Sequence, residues 1–311
     1  MRTSVMSKAD KVEQTWRGTV FEPYLSAFRF DSQVRNLTPK TLDCYLERLG
    51  DLFVSLQEQG KSLPEVDKAT VQGYALSLKG RVSDETINGR IRVYRRFFGF
   101  LVDKGLWESD NPMTGVKLLK TAKKVKPVVD PETVQKIVAG ISRDSFEGMR
   151  NLLMVLLLWD GMMRKNEMLG LKVSDINLND HLAKVFGKGR KERMVPLGVK
   201  TLKVLHQHLI RWRSKYPGDH LICMRNGEPL TGRHCHKVIQ DLGKRHGIVL
   251  YPHLLRHSAA TWYIRQGGNP AVLQGILGRT SLLVTQNYLH LSSQDAVNSH
   301  AQFSPSNCLR V

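Results

Sequence analysis

Four short stretches in the second half of the chain hold residue types that could act on a phosphodiester. They are Gly161-Met-Met-Arg164-Lys-Asn-Glu167, Gly187-Lys188-Gly189-Arg190-Lys191-Glu192-Arg193, His253-Leu-Leu-Arg256-His257, and Leu277-Gly278-Arg279-Thr280-Ser281 followed by Thr285-Gln-Asn-Tyr288. Breaking such a bond without a metal gathers charge on the non-bridging oxygens, which preorganised guanidinium groups can hold bidentately. A nucleophile must reach phosphorus, and an acid must protonate the leaving oxygen. Arg164, Lys188, His253, Arg256, Arg279 and Tyr288 are the candidates for these roles. Plainer readings stand beside them. A single arginine most often makes a surface ion pair, and a single histidine or tyrosine most often packs. Arg164 also lies three residues before Glu167, a spacing at which the two can pair on one helix face and so orient the guanidinium.

The elements that must position these residues follow from spacing and caps. Thr38-Pro39 reads as an N-cap with Pro at the first helical position. Leu42, Tyr45, Leu46, Leu49, Leu52, Phe53 and Leu56 then recur at steps of three and four. Ser83 or Asp84 can cap a second helix through Ile87, Ile91, Tyr94, Phe97, Phe98 and Leu101, with Arg90, Arg92, Arg95 and Arg96 largely off that stripe. No strand signal falls in this half, which reads as a small bundle of four or five helices with a basic face. Residues 117–126, KLLKTAKKVK, carry five lysines, including Lys120, Lys123 and Lys124, and no acid before Pro127. They mark a basic linker, set at 120–129. Asp130-Pro131-Glu132 opens a second domain. In it, helices over about 149–159 and 164–171 lead to a hairpin of Leu182–Phe186 and Arg193–Leu197, with a third strand near Asp175–Leu178. Helices return from Val199 to Trp212, then near 233–246, 254–266, 270–277 and 281–290. Gly267-Gly268 stops one of these and Asn269-Pro270 starts the next. Residues 1–20 are polar and unpatterned and read as a flexible arm; 296–311 read as a C-terminal tail.

Charge narrows the partner. Across 311 residues, 47 Lys and Arg against 28 Asp and Glu leave a net charge of +19. A folded chain this basic suits an anionic partner, nucleic acid first and an anionic membrane surface second. No apolar run reaches the roughly 18–20 residues that span a bilayer, no amphipathic basic anchor is present, and the N-terminus lacks the apolar core of a signal peptide. A cytoplasmic protein, nucleoid-associated if bacterial, is expected. The scattered Cys44, Cys223, Cys235 and Cys308 read as free thiols. Gly232-Arg233-His234-Cys235-His236-Lys237 lacks the ligand spacing of a zinc site and reads as a basic, DNA-facing helix carrying Arg233.

The four stretches resemble, in order, the first arginine box, the lysine hairpin, the H-x-x-R box and the closing box of the tyrosine recombinases, the lambda-integrase family. The first half is similar to that family's helical core-binding domain, so the likeness covers roughly residues 21–295. It implies a mainly α protein with a small antiparallel sheet: a helical core DNA-binding domain over 21–119 and a mixed α/β catalytic domain over 130–295, closing as a C-shaped clamp on duplex DNA. It implies that Arg164 and Arg256 clamp the scissile phosphate. Lys188, with Lys191 as its rival, would be the acid for the 5′-oxygen, and His253 would assist proton transfer or bond the phosphate. Tyr288 would form a 3′-phosphotyrosyl link that conserves the bond energy, so that no cofactor, metal or ATP is needed. Arg190 and the linker lysines would join Arg90, Arg92, Arg95, Arg96 and Arg233 on DNA. The partners implied are a specific recombination site and identical subunits in a DNA-bound tetramer. Two departures stand out. Arg279 occupies a position where the family usually has His or Trp, and Gly161 stands three residues before Arg164 where the family often has glycine two before. A DNA-binding relative without catalysis, a type IB topoisomerase and a telomere resolvase share the pattern.

Overall fold

The computed structural model describes residues 14, 16–122, 126–187 and 192–278. Two compact units divide the chain between Lys124 and Val125.

The first unit is helical. Among the described residues its main α-helices are α1 (Glu22–Val34), α2 (Pro39–Glu58), α3 (Lys68–Ser77) and α4 (Asp84–Asp103). Thr38, Asp67 and Ser83 cap α2, α3 and α4 by accepting the backbone N–H three residues on. The spacing-derived apolar stripes of α2 and α4 are the buried ones: Leu46, Leu49, Leu52 and Phe53 meet Ile87, Tyr94, Phe97 and Phe98 in one core. Phe28 of α1 joins them edge-on to Phe97. Trp16, in the segment read from sequence as an arm, is buried in this core, so the chain is already packed at that residue. The end of the unit is tied down by Asn88, whose amide exchanges two hydrogen bonds with the backbone of Leu119.

The second unit holds a three-stranded antiparallel sheet among helices. α5 (Pro131–Ala139), capped by Asp130, leads to α6 (Phe146–Trp159), capped by Ser145. Its run NLLMVLLLW reads apolar throughout because α6 runs through the core, packed against both α8 (Val199–Arg211) and α10 (Pro252–Arg265). α7 (Lys165–Gly170) follows. The strands β1 (Ile176–Asn177), β2 (Leu182–Phe186) and β3 (Glu192–Pro196) pair in chain order. Ala183 faces Val195 and Val185 faces Arg193 across the hairpin. Because side chains alternate with period two, Arg193 falls on the same face as the buried Val195. α9 (Gly232–Lys244), α10 and α11 (Pro270–Leu277) complete the unit. Asn269 caps α11 and Gly278, at φ 60°, closes it in the left-handed region. Val129, at the end of the stretch set as linker, donates to the Ser258 hydroxyl and accepts from the Trp262 indole, which pins it to α10. The molecule is thus mainly α with a small antiparallel sheet.

Candidate active site

Glu167 is the hub of the site. It lies on α7, almost wholly shielded from water, and α7 begins where Arg164 acts as its N-cap. The backbone N–H of Arg164 donates to Glu167 Oε2 at 2.7 Å, and its Nη1 donates to Oε1 at 2.7 Å. Arg193 reaches in from β3 and donates from Nη1 and Nη2 to the two oxygens at 2.7 and 2.8 Å. Arg256 of α10 stands 3.6 Å away. A buried carboxylate is tolerated only with such partners. Burial pushes its pKa up, but the hydrogen bonds from Arg193 and Arg164 outweigh this and hold it at about 2. Three guanidinium groups on one carboxylate leave the cluster with two net positive charges.

The same arginines cap the end of α11. Arg193 Nε donates to the Ile276 carbonyl at 2.9 Å, Arg256 Nη2 to Leu277 at 2.9 Å and Arg164 Nη2 to Gly278 at 3.2 Å. These are carbonyls that a helix end leaves without an intrahelical partner, at the negative end of its dipole. Arg256 also donates to the Met162 carbonyl at 2.6 Å. Met162 has φ 45°. This accounts for the displaced glycine: the backbone two residues before Arg164 takes the left-handed conformation that glycine adopts most readily, and here a methionine adopts it with its side chain buried.

An open cleft of about 350 Å³ lies over this cluster, lined by Lys126, Arg164, Tyr251, His253, Leu254, Arg256 and His257. Pro252 starts α10, which places His253 and Arg256 three residues apart on one face. Partial burial, and then the positive charges of Arg256, Lys165, Lys126 and Arg164, lower the His253 pKa and so favour its neutral imidazole. Arg164, His253 and Arg256 are therefore brought together, whereas Lys188, Arg279 and Tyr288 lie outside the described residues.

Among the residues expected on DNA, Arg92, Arg95, Lys120 and Arg233 are exposed and Arg96 is half-buried, while Lys123, Lys124 and Arg190 are outside the described residues. Arg90 has an internal commitment, an ion pair with Asp51 at 2.8 Å and a hydrogen bond to the Tyr74 hydroxyl. Arg95 gives one N–H to the Val116 carbonyl. Cys235 faces the core with its thiol pushed up to about 11 by burial, while His234 and His236 are exposed. Sequence reasoning missed Arg193, Lys126 and Tyr251 as parts of the site. Arg193 could have been found from its register, since it shares the inward face with Val195; Lys126 closes the lysine-rich run 117–126, and nothing local marks Tyr251.

Residues 127–295 match the phage integrase family, and residues 28–105 match the phage integrase N-terminal SAM-like domain. The chain is 31% identical to tyrosine recombinase XerC of Actinobacillus pleuropneumoniae serotype 7, over 88% of this chain and 89% of that protein. It is 30% identical to tyrosine recombinase XerD of Staphylococcus haemolyticus, over 92% and 99%. Its fold is similar to that of the Tn1549 transposon integrase solved with transposon right-end DNA, at a TM-score of 0.74 and 18% identity over 92% of this chain and 99% of that one. It is similar too to the XerH site-specific recombinase bound to a palindromic difH substrate, at 0.72 and 23% over 86% and 81%. The chain belongs to the phage integrase family of tyrosine recombinases, enzymes that cleave and rejoin DNA at specific sites.

Proposed function

We propose that Arg164 and Arg256 hold the scissile phosphate of a duplex recombination site while Tyr288 attacks phosphorus. The phenol gives up its proton to a base in the site and its oxygen forms the new P–O bond as the 5′-oxygen leaves, giving a 3′-phosphotyrosyl link; the 5′-hydroxyl of another strand reverses the step. Lys188 protonates the leaving oxygen, and His253 hydrogen-bonds the phosphate or relays a proton. The observation that carries this reading is the cluster on Glu167: net positive, rigidly bonded and opening onto a cleft beside His253. Such preorganised charge can be worth roughly 10³–10⁵ in phosphoryl-transfer rate. Arg279 follows in the chain directly after Gly278, whose carbonyl bonds Arg164. It acts as a third phosphate donor in place of the usual His or Trp, and Arg279→His keeps much of the activity. Arg92, Arg95, Arg96, Lys120, Lys123, Lys124, Arg190 and Arg233 contact the DNA backbone, and four copies assemble on DNA to exchange strands inside the cell.

The test compares single-turnover cleavage at saturating protein with equilibrium DNA binding. Arg256→Ala should lose cleavage by several orders of magnitude while binding changes little, because many lysines and arginines share the binding charge. Equal losses in both would make Arg256 a mere backbone contact.

A further inference from the structure

Arg193 does not line the cleft, yet every nitrogen of its guanidinium is committed within the cluster. Its side chain is only 12% exposed. Two N–H groups take both oxygens of Glu167 and a third takes the Ile276 carbonyl, so the planar guanidinium is fixed at both ends. Its aliphatic stem lies under the turn after α11: a Cβ on Gly278 would come within 2.7 Å of Arg193 Cδ. Arg193 thereby joins three pieces of the chain, namely β3 at the base of the lysine hairpin, the carboxylate that orients Arg164, and the helix end that Arg164 and Arg256 also cap.

We propose that Arg193 is a positioning residue for strand cleavage, clamping Glu167 and the C-terminal end of α11 so that Arg164 and Arg256 stay aimed at the phosphate. This rests on the reading that those two arginines bind it. Without Arg193, the buried carboxylate has only Arg164 and Arg256 left to neutralise it. It then competes with the phosphate for the same guanidinium groups. Displacements on the order of 1 Å in such constellations cost roughly 10²-fold in rate.

The full-length Arg193→Gln and Arg193→Lys proteins decide between positioning and mere stability. For Gln, DNA affinity should stay within about threefold of the parent, while the single-turnover cleavage rate constant falls by about 10²-fold. Lys keeps the charge but cannot span both Glu167 oxygens and Ile276, so it should recover part of that loss. A purely structural role would lower the burst amplitude, the fraction of active molecules, and leave the rate constant untouched; that result overturns the proposal, as does a parallel loss of binding. A second measurement needs no cleavage. The Nε–H resonances of Arg164 and Arg256 in DNA-free protein should be sharp in the parent and shifted or broadened in Arg193→Gln, and unchanged resonances would refute the clamp. A parent protein that binds its site and never cleaves would sink the proposed function alone, with the resonances still deciding the role of Arg193.

Discussion

Glu167 accepts hydrogen bonds from the backbone and guanidinium of Arg164 and from both terminal nitrogens of Arg193. Its pKa of about 2 lies below the ordinary 4.5. A carboxyl depressed on folding stabilises the protein fully above the unfolded value, here above about pH 4.5, and loses that stabilisation as pH falls toward about 2. The shift corresponds to roughly 3 kcal/mol. Urea denaturation at a series of pH values should show this loss in the parent. Glu167→Gln should be less stable at pH 7 by about 3 kcal/mol and lack that part of the acid limb, because one amide cannot satisfy three guanidinium groups. A variant as stable as the parent at pH 7 would mean that the arginines are satisfied elsewhere. Arg164 itself shows how far residue-level reading reached. Its pairing with Glu167 was legible from a three-residue spacing, whereas Arg193 and Arg256 come to the same carboxylate from β3 and α10, separations that no local pattern encodes.

The elements were more legible than the contacts between them. Thr38, Ser83, Asp130 and Asn269 cap the helices that their residue types announced, and the strands β2 and β3 lie within a residue of the alternation that predicted them. α6 starts about three residues before the expected 149, because Ser145 sets the N-cap ahead of the apolar run that marked the helix. Trp16 was not legible: one aromatic in a polar segment carries no periodicity. Two element-level outcomes follow. Gly278→Ala forces a Cβ onto a left-handed turn and toward Arg193. It should destabilise the second unit by more than the 1–2 kcal/mol that the backbone conformation alone costs. It should also slow cleavage while sparing DNA affinity; a variant as stable and active as the parent would detach α11 from the site. His208 of α8 is buried against Phe146 of α6, with Nε2 3.4 Å from the Leu221 carbonyl. Burial lowers its pKa from 6.5 to about 4. The unfolded chain therefore takes up a proton that the folded one refuses, and stability is lost as pH falls from about 6.5 to 4, by roughly 3 kcal/mol. Replacing His208 by Leu should flatten that slope, and a slope that persists would assign it to other groups.

At the scale of the whole molecule, the +19 charge belongs to a protein that meets a polyanion. Each phosphate neutralised releases condensed counterions, so affinity should fall steeply with salt, by about 10³–10⁵ between 50 and 200 mM if six to ten phosphates are contacted. A flat salt dependence would contradict backbone-dominated binding. The four boxes, the two family matches and the arginine cluster all describe one enzyme class. They meet in a single chemical claim about one atom, the hydroxyl oxygen of Tyr288. The decisive measurement first selects the site bound by the protein from random duplexes. The parent and Tyr288→Phe are then incubated with a nicked version of that site, which traps the covalent intermediate, and the products are separated on a denaturing gel. The parent should form a protein–DNA adduct whose linked peptide contains Tyr288, and Tyr288→Phe should bind the same DNA with similar affinity and form none. An adduct formed by Tyr288→Phe, or a parent adduct mapping to any other residue, would contradict the account.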